Sequence, residues 1–575
     1  MYLRTTRRTN RDGSVVEYLS LAHNHRVDGV VRAQVLCNLG RADAVDGDGL
    51  RRLISSIARH LGDADPYAAH AAPGDERMSI TSSRSAGGVW LLDGLWRQLG
   101  IDTALRELLG PRRFTTDVER VLFALVANRA LDPCSKLATT EWASRDVAIP
   151  GLDGFTDDQA YRAMDLLVEA DATAQVQEAV FFATANLLNL TVDVLLFDTT
   201  STYFERDAAD LDEDGSPGFR RYGHSKDHRG DLPQIVIGLA VTPEGIPVRV
   251  WCWPGNTSDV TVLPEVRDAM RDWKLGRVIT VVDRGFSSNA NLEHLRKGGG
   301  HWIAGERMRD KAGDAAEALS RQGRYTTVTE HLQVKEAKLD STPGVRWVIC
   351  HNTAEAAKDK ATRDTAIERL QTELTTIAAA RAAAEKALKT ATTEKAKTRL
   401  TAELAGHTKA ECALRDHVTL GRWLRQTTSG RLVIDKAKVA AEAKLDGKYL
   451  LSTSDPHLTP AQVALGYKNL LEAERGFRDL KSTLLLRPVF HRLENRIRAH
   501  VLICWLALLL IRVAENATGT TWAQVSRELD RLAAVTLTGP AGTVVQTTEP
   551  TDDQRGFLAA CSVALPPRIS SLNPR

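Results

Sequence analysis

Cysteine, long apolar runs and net charge are all scarce in this chain, and each shortage excludes something. The seven cysteines (Cys37, Cys134, Cys252, Cys350, Cys412, Cys504 and Cys561) form no C-x-x-C pair and no cluster. That spacing argues against a thiolate zinc site and against a disulfide framework, and it suits a reducing, cytoplasmic setting. The run most like a membrane segment, Val501–Ile511 (VLICWLALLLI), has eleven residues. A span needs about 20, and Arg498, His500 and Arg512 crowd this one, so it reads as a buried helix and no membrane association is expected. The opening stretch MYLRTTRRTNRDG carries charge without an apolar segment, so no signal peptide is expected. Lys+Arg number 75 against 73 Asp+Glu, a net charge of +2, so any surface for a polyanion has to be local.

What is present is a long globular chain of 575 residues, 43% hydrophobic and 26% charged, which exceeds one ordinary domain. Residues 1–75 read as a small β-rich region. The runs VVEYLSL and VVRAQVLCNLG, with turn sequences NRDGS and NHRVDG, predict two or three strands, and GLRRLISSIARHL predicts a helix. Arg4, Arg7, Arg8 and Arg11 make the first strand basic, either as a solvated edge or as a phosphate contact. Residues 76–190 read as helical, from GVWLLDGLWRQLGI to AQVQEAVFFATANLLN.

The texture changes at Asp193. VLLF reads as a buried strand with Asp198 at its tip, where α/β proteins place chemistry. A charged segment containing Lys226 follows, RRYGHSKDHRGD. QIVIGLAV, the turn TPEGIP and VRVWCW then predict a hairpin, and GNTSDVTVLPEVRDAMRDW a capped helix. VITVV predicts a second buried strand ending in Asp283, and one more short strand is expected at His301–Ala304. Strand, hairpin, helix, strand is the order of a ribonuclease-H-like sheet. The expected fold class is therefore an α/β catalytic core, a ribonuclease-H-like mixed sheet flanked by helices. Its first part spans 191–310 and its last helices 456–515. An Asp at a strand end more often caps a turn than binds a metal, so neither aspartate carries the argument alone.

The third carboxylate is Glu474, in the stretch Tyr467–Lys481, YKNLLEAERGFRDLK. Tyr467, Glu474 and Lys481 are seven residues apart, close to two helical turns, so one continuous helix would set all three along one face. Leu470, Leu471, Phe477 and Leu480 supply an apolar stripe for docking. The bland alternative is a solvated face with a Glu474–Arg478 pair. Three carboxylates suit hard cations, Mg²⁺ or Mn²⁺, and two such ions can activate an attacking oxygen and stabilise a leaving one in phosphoryl transfer.

LLFDTTSTYFE, VVDRGFSS and YKNLLEAERGFRDLKS together resemble the three catalytic regions of DDE transposases of bacterial insertion sequences, in the subgroup whose last region reads Y-x2-R-x3-E-x6-K. Tyr467, Glu474 and Lys481 match that spacing, while Leu470 stands at the Arg position, leaving Arg475 or Arg478 to supply its contact. The resemblance implies Asp198, Asp283 and Glu474 as catalytic residues and ligands of two Mg²⁺ (or Mn²⁺) ions. It implies Tyr467 and Lys481 at the phosphates near the break, with Arg475, Arg478 and Lys226 as further DNA contacts. It implies cut-and-paste transposition by a dimer on DNA, acting on inverted-repeat ends and target DNA, with residues 76–190 as the end-binding domain. Two rivals stand beside it: a DNA-binding protein derived from a transposase that has lost catalysis, and a phosphatase using Asp198, which usually wants a second acid where Thr200 stands.

Between Asp283 and Glu474 lie 190 residues, more than such a core needs. Residues 311–455 read as an insertion of strands plus a helical hairpin over 362–404, where the chain is Ala-rich and charged without Gly or Pro. Trp347 in GVRWVICHN is the candidate platform for a base leaving its stack, and Trp302 the candidate core residue. Over Arg475–Arg512 eight Lys/Arg face only Asp479 and Glu494, either as a DNA-facing surface or as a solvated helix face. Residues 516–575 read as a helix and a loop-rich tail.

Overall fold

The computed structural model describes residues 1–575 except 10–13, 28–29, 64–77, 111–116, 173, 189, 191–192, 212–213, 274–277, 310–312, 429 and 575. Two compact units emerge: Met1–Ser258 together with Leu471–Arg575, and Asp259–Leu470, which interrupts the first in sequence.

The first unit begins with a three-stranded antiparallel sheet, Tyr2–Thr9, Val15–Val27 and Val30–Arg41 in that order. The first strand is exposed throughout and carries Arg4, Arg7 and Arg8, and Arg7 pairs with Glu17 at 2.6 Å. Arg11 lies outside the described residues. The helix Gly47–Leu61 starts at Asp46, whose carboxylate accepts from Asp48 N, and stops at Gly62, where φ of 75° suits only a residue without Cβ strain. Helices Gly87–Gln98, Ile101–Leu109, Val118–Leu131, Asp157–Ala170 and Gln175–Leu187 follow. Among them, Val118–Leu131 and Asp157–Ala170 pack on the helix Glu494–Thr518, which also packs on the strand Pro247–Pro254. The most apolar window of that helix has a mean hydropathy of 2.0 and is 94% buried, so protein rather than lipid covers it.

Two expectations need correction in this unit. Ser79–Ser85, inside the stretch read as helical, is a strand. Residues 516–575, read as a helix and a tail, hold helices Trp522–Leu529 and Asp552–Ala560 and three strands. Ala533–Gly539, Gly542–Thr547 and Ile569–Pro574 join Ser79–Ser85 in a four-stranded antiparallel sheet. SITSSRS has no apolar alternation to announce it, and its ladder partners lie 448 to 459 residues away.

The same unit carries the antiparallel strands Val194–Tyr203, Gln234–Val241 and Pro247–Pro254, neighbours in that order. The middle one is buried along its whole length. The helix Leu471–Ser482 buries Ala473, Gly476, Phe477 and Leu480 and packs on the first two strands.

In the second unit the strands run in the order Thr326–Thr329, Leu332–Lys338, Arg346–Asn352, Lys448–Thr453, His301–Glu306, Ile279–Val282. All neighbours are antiparallel except the last pair, which is parallel, so this is a mixed sheet. Helices Asp259–Asp272, Asn289–Arg296 and Pro460–Lys468 flank it. Between the adjacent strands Arg346–Asn352 and Lys448–Thr453 the chain leaves in a helical hairpin, Thr353–Thr390 and Glu394–Asp416, longer at both ends than the stretch read from sequence. Asn352 and Thr393 cap its two helices, and Arg381 reaches Glu411 at 3.0 Å across it.

Candidate active site

Asp198 sits mid-strand. The strand read as ending there continues through Thr199, Thr200, Ser201 and Thr202 to Tyr203, because these residues, the three threonines among them β-branched, pair with Gln234–Val241 without a break. Asp198 lies opposite Leu239 in that ladder, so the two side chains share one face of the sheet. A methyl group on Gly476 would come within 2.8 Å of Leu239 Cδ2. The helix of Glu474 therefore crosses the sheet at the level of Asp198 and on its side, and the missing side chain at Gly476 lets it approach that closely. Asp198 Oδ1 accepts from Thr199 N at 2.7 Å, and the Lys226 ammonium stands 3.7 Å from it. Lys226 Nζ donates to Thr199 O and Thr199 Oγ1, both at 2.7 Å, which fixes it beside the carboxylate. Glu474 is exposed and makes no hydrogen bond or ion pair among the described residues, so the bland Glu474–Arg478 pair does not form.

The single helix expected over Tyr467–Lys481 is two. Pro460–Lys468 ends at Asn469, and Leu471–Ser482 begins after Leu470. Asn is a weak helix former that prefers ends, and the turn tightens there, with Leu470 N donating to Tyr467 O at 3.0 Å. The two-turn relation holds for Glu474 and Lys481 and fails for Tyr467, which belongs to the second unit. Of the docking stripe, Leu471 is instead 55% exposed. Lys481 is held by Asp227, at 2.9 and 3.1 Å, and Arg487 pairs with the same carboxylate at 2.8 Å. Burial pulls the Lys481 ammonium down, and Asp227 opposes that.

In the second unit the parallel strand Ile279–Val282 delivers Asp283 at its end, as read from sequence. Tyr467 Oη donates to Asp283 Oδ1 at 2.6 Å. Burial, then this bond, raises the Tyr467 phenol, which keeps it a donor. Tyr467 stacks on Tyr449 with ring centroids 6.0 Å apart and lies against Gly305. These residues line a cleft of about 730 Å³ together with Arg284, Arg307, Arg309 and Glu306.

Glu306 was not singled out from sequence. It ends the strand His301–Glu306, which runs past the expected Ala304, and so repeats the pattern of Asp283: an apolar strand with an acid at its tip. Burial pushes its carboxyl up to about 7, against hydrogen bonds from Ser452 (2.6 Å) and Ser287. Asp227 was also missed, because nothing in RRYGHSKDHRGD separates a charge that binds Lys481 from one facing solvent.

The remaining candidates divide. Arg475 is engaged by Glu515 at 2.8 Å and by Glu472 at 3.7 Å, while Arg478 is exposed. Trp347 corrects its expectation. It is 6% exposed, packs with Ala318, Ala337, Leu339, Ile349 and Leu450, and donates to Thr342 Oγ1 at 3.1 Å, so no ring face is open to a base. Trp302, 1% exposed, fills the core as expected. Among the described residues no three His, Cys, Asp or Glu side chains stand as a group able to hold a metal ion.

The family model of the transposase DDE domain matches residues 193–510, and that of the N-terminal domain of IS1634 family transposases matches residues 3–69. With more than half of its length matched by the first, the chain belongs to the DDE transposase family, here of an insertion sequence. It is thus a transposase, an enzyme that acts on DNA, and its family uses divalent metal ions. Among solved structures, the cryo-EM structure of a piggyBac transposase synaptic complex with hairpin DNA aligns with 77% of this chain and 78% of that chain, at 11% identity and a TM-score of 0.33. No curated protein matches.

Proposed function

We propose that this transposase binds the terminal inverted repeats of its element and moves it by cut-and-paste. A water oxygen attacks the phosphodiester at each end, the bond to the 3′-oxygen breaks, and the freed 3′-hydroxyl then attacks target DNA. Asp198, Asp283 and Glu474 are the catalytic carboxylates. The observation that carries this reading is the Glu474 helix lying on the face and at the level of Asp198, within the family match that also spans Asp283. The order of strand, hairpin, helix and strand supports a ribonuclease-H-like core.

The donor chemistry fits Mg²⁺ or Mn²⁺: the three residues offer carboxylate oxygens only, Glu474 exposed and the Asp198 side chain 21% exposed. The three would hold two such ions, which lend Lewis-acid stabilisation to attacking and leaving oxygens. The chain's own residues do the rest. Tyr467 holds one oxygen of Asp283, which orients the other. Lys226, fixed by Thr199, sets a positive charge beside Asp198 where phosphate charge accumulates. Lys481 and Arg478, with Arg475 after release from Glu515, take backbone phosphates, and the helical region 76–190 binds the ends. The enzyme works in the cytoplasm as a dimer on DNA.

The test is labelled inverted-repeat DNA incubated with purified protein, with and without Mg²⁺. Cleavage should need the metal. Asp198→Asn, Asp283→Asn and Glu474→Gln should each abolish it while leaving end binding. A variant that cleaves within a few-fold of wild type removes its residue from the set, and metal-independent cleavage refutes the scheme.

A further inference from the structure

The helix Val118–Leu131, the short helix Lys136–Glu141 and the segment 485–491 enclose a cavity of about 270 Å³ in the first unit, lined by none of the carboxylates, lysines or arginines named individually in the proposed site. Arg129, Lys136, His491 and His500 line it, and no carboxylate among the described residues does. Arg129, Lys136 and His500 are each only 4% exposed. Buried cations in folded proteins are normally paired. Arg129 and Lys136 are not, and burial holds the His500 imidazole well below its usual range beside them. Arg129 donates from one Nη to the Leu485 carbonyl at 3.4 Å, and its Nε has no partner. His500 Nε2 meets the Leu486 carbonyl at 3.0 Å, and its Nδ1 has none. The Lys136 ammonium makes no hydrogen bond or ion pair among the described residues, and its charged neighbour is another cation, Arg129.

The cluster shows the stress of that arrangement. Burial, then Arg129, pulls Lys136 down to about 7, opposed only by the thiols of Cys504 and Cys134. Burial, then Lys136, Arg496 and Arg129, pulls His491 down to about 4. A compact anion in the cavity would offset that burial and the repulsion among these groups, raising Lys136 and His491 together.

We propose that this cavity is a phosphate-binding site. Its donors are a guanidinium, an ammonium and two imidazoles, a set matched to several oxygens on one centre. The cavity is roomier than a lone phosphate needs. Tyr161 borders it, with the Arg496 guanidinium 4.6 Å from its ring centroid, and so does Phe490, which is 77% exposed. Those faces suit the sugar or base of a nucleotide. The phosphate comes either from DNA or from a free phosphate ester, and the chemistry of capture is shared.

The experiment uses the full chain. Thermal melting at pH 7 in orthophosphate is compared with chloride at matched ionic strength. Wild type should melt several degrees higher in phosphate. Lys136→Met, which removes an unpaired buried cation and keeps its stem, should melt no lower than wild type in chloride and should lose the phosphate shift. His491→Gln, at a partly exposed position, gives the same reading should Lys136→Met fail to fold. No shift in wild type, or an undiminished shift in the variant that folds, overturns the site. A short oligonucleotide then separates the sources. Binding weakened at least fivefold by the same substitution, with competition by orthophosphate, assigns the site to DNA. Unchanged oligonucleotide binding beside a lost orthophosphate shift assigns it to a free phosphate ester.

Discussion

Gly305→Ala is the most direct probe of the contact between Tyr467 and Asp283. A Cβ at this position would lie 2.4 Å from Tyr467 Oη and 3.0 and 3.2 Å from two ring carbons. The ring cannot stay. A retreat of roughly 1 Å would relieve the overlap and would stretch the bond to Asp283, now 2.6 Å, to about 3.6 Å, where no hydrogen bond remains. A hydrogen bond to a charged group contributes about 1.5–3 kcal/mol. If all of it serves to orient Asp283 in the transition state, cleavage should fall roughly 10- to 150-fold. Single-turnover nicking of end DNA measures the rate, and urea unfolding measures the stability. Tyr467→Phe removes the same hydroxyl by another route, so the double variant should be little worse than the worse single one. Fully additive losses, or wild-type nicking by Gly305→Ala, would refute the account.

Three further outcomes follow from contacts already described. Burial raises Glu306 from 4.5 to about 7, so the folded protein holds that proton more tightly than the unfolded chain; the stability this contributes is complete below pH 4.5 and is lost as pH rises through 7. Glu306→Gln should accordingly match wild type near pH 4.5 and gain on it up to pH 8 in melts across that range; a constant difference would show that Glu306 is not buried as a proton carrier. Lys481→Ala leaves Asp227 paired with Arg487, so the fold should survive, while the salt slope of DNA binding drops by roughly one unit; an unchanged slope and unchanged cleavage would confine Lys481 to its ion pair. Trp347→Ala should destabilise the second unit by roughly 3–5 kcal/mol in urea unfolding; wild-type stability with a pile-up of nicked ends would restore the stacking reading.

Much of the candidate site was legible because its parts are local. VLLF and VITVV announce buried strands, and the acids that follow them lie where strand propensity and chemistry meet. The same rule applied once more reaches Glu306, whose strand HWIAGE is shorter and less apolar and so escaped notice. Spacing misled where it was read as geometry: seven residues mean two turns only if the helix is unbroken, and Asn469 breaks it. The pairing of SITSSRS with a strand near the C-terminus has no local sign at all, since polar strands are specified by their partners. Trp347 shows the limit of residue type as a clue. A tryptophan in an apolar strand is the same letter whether it awaits a base or fills a core, and only its neighbours decide.

The apolar helix Glu494–Thr518 has a consequence for how the protein is made. Its packing partners, the helices Val118–Leu131 and Asp157–Ala170 and the strand Pro247–Pro254, all leave the ribosome far ahead of it. At roughly 5–20 residues per second they wait from about ten seconds to about a minute, with apolar faces uncovered, before their cover arrives. The contiguous unit Asp259–Leu470 has its whole chain out during that wait. A message broken before codon 494 therefore yields a chain with a sticky helical layer, the kind of product that proteases and chaperones remove, while a chain that extends through residue 518 can seal that layer.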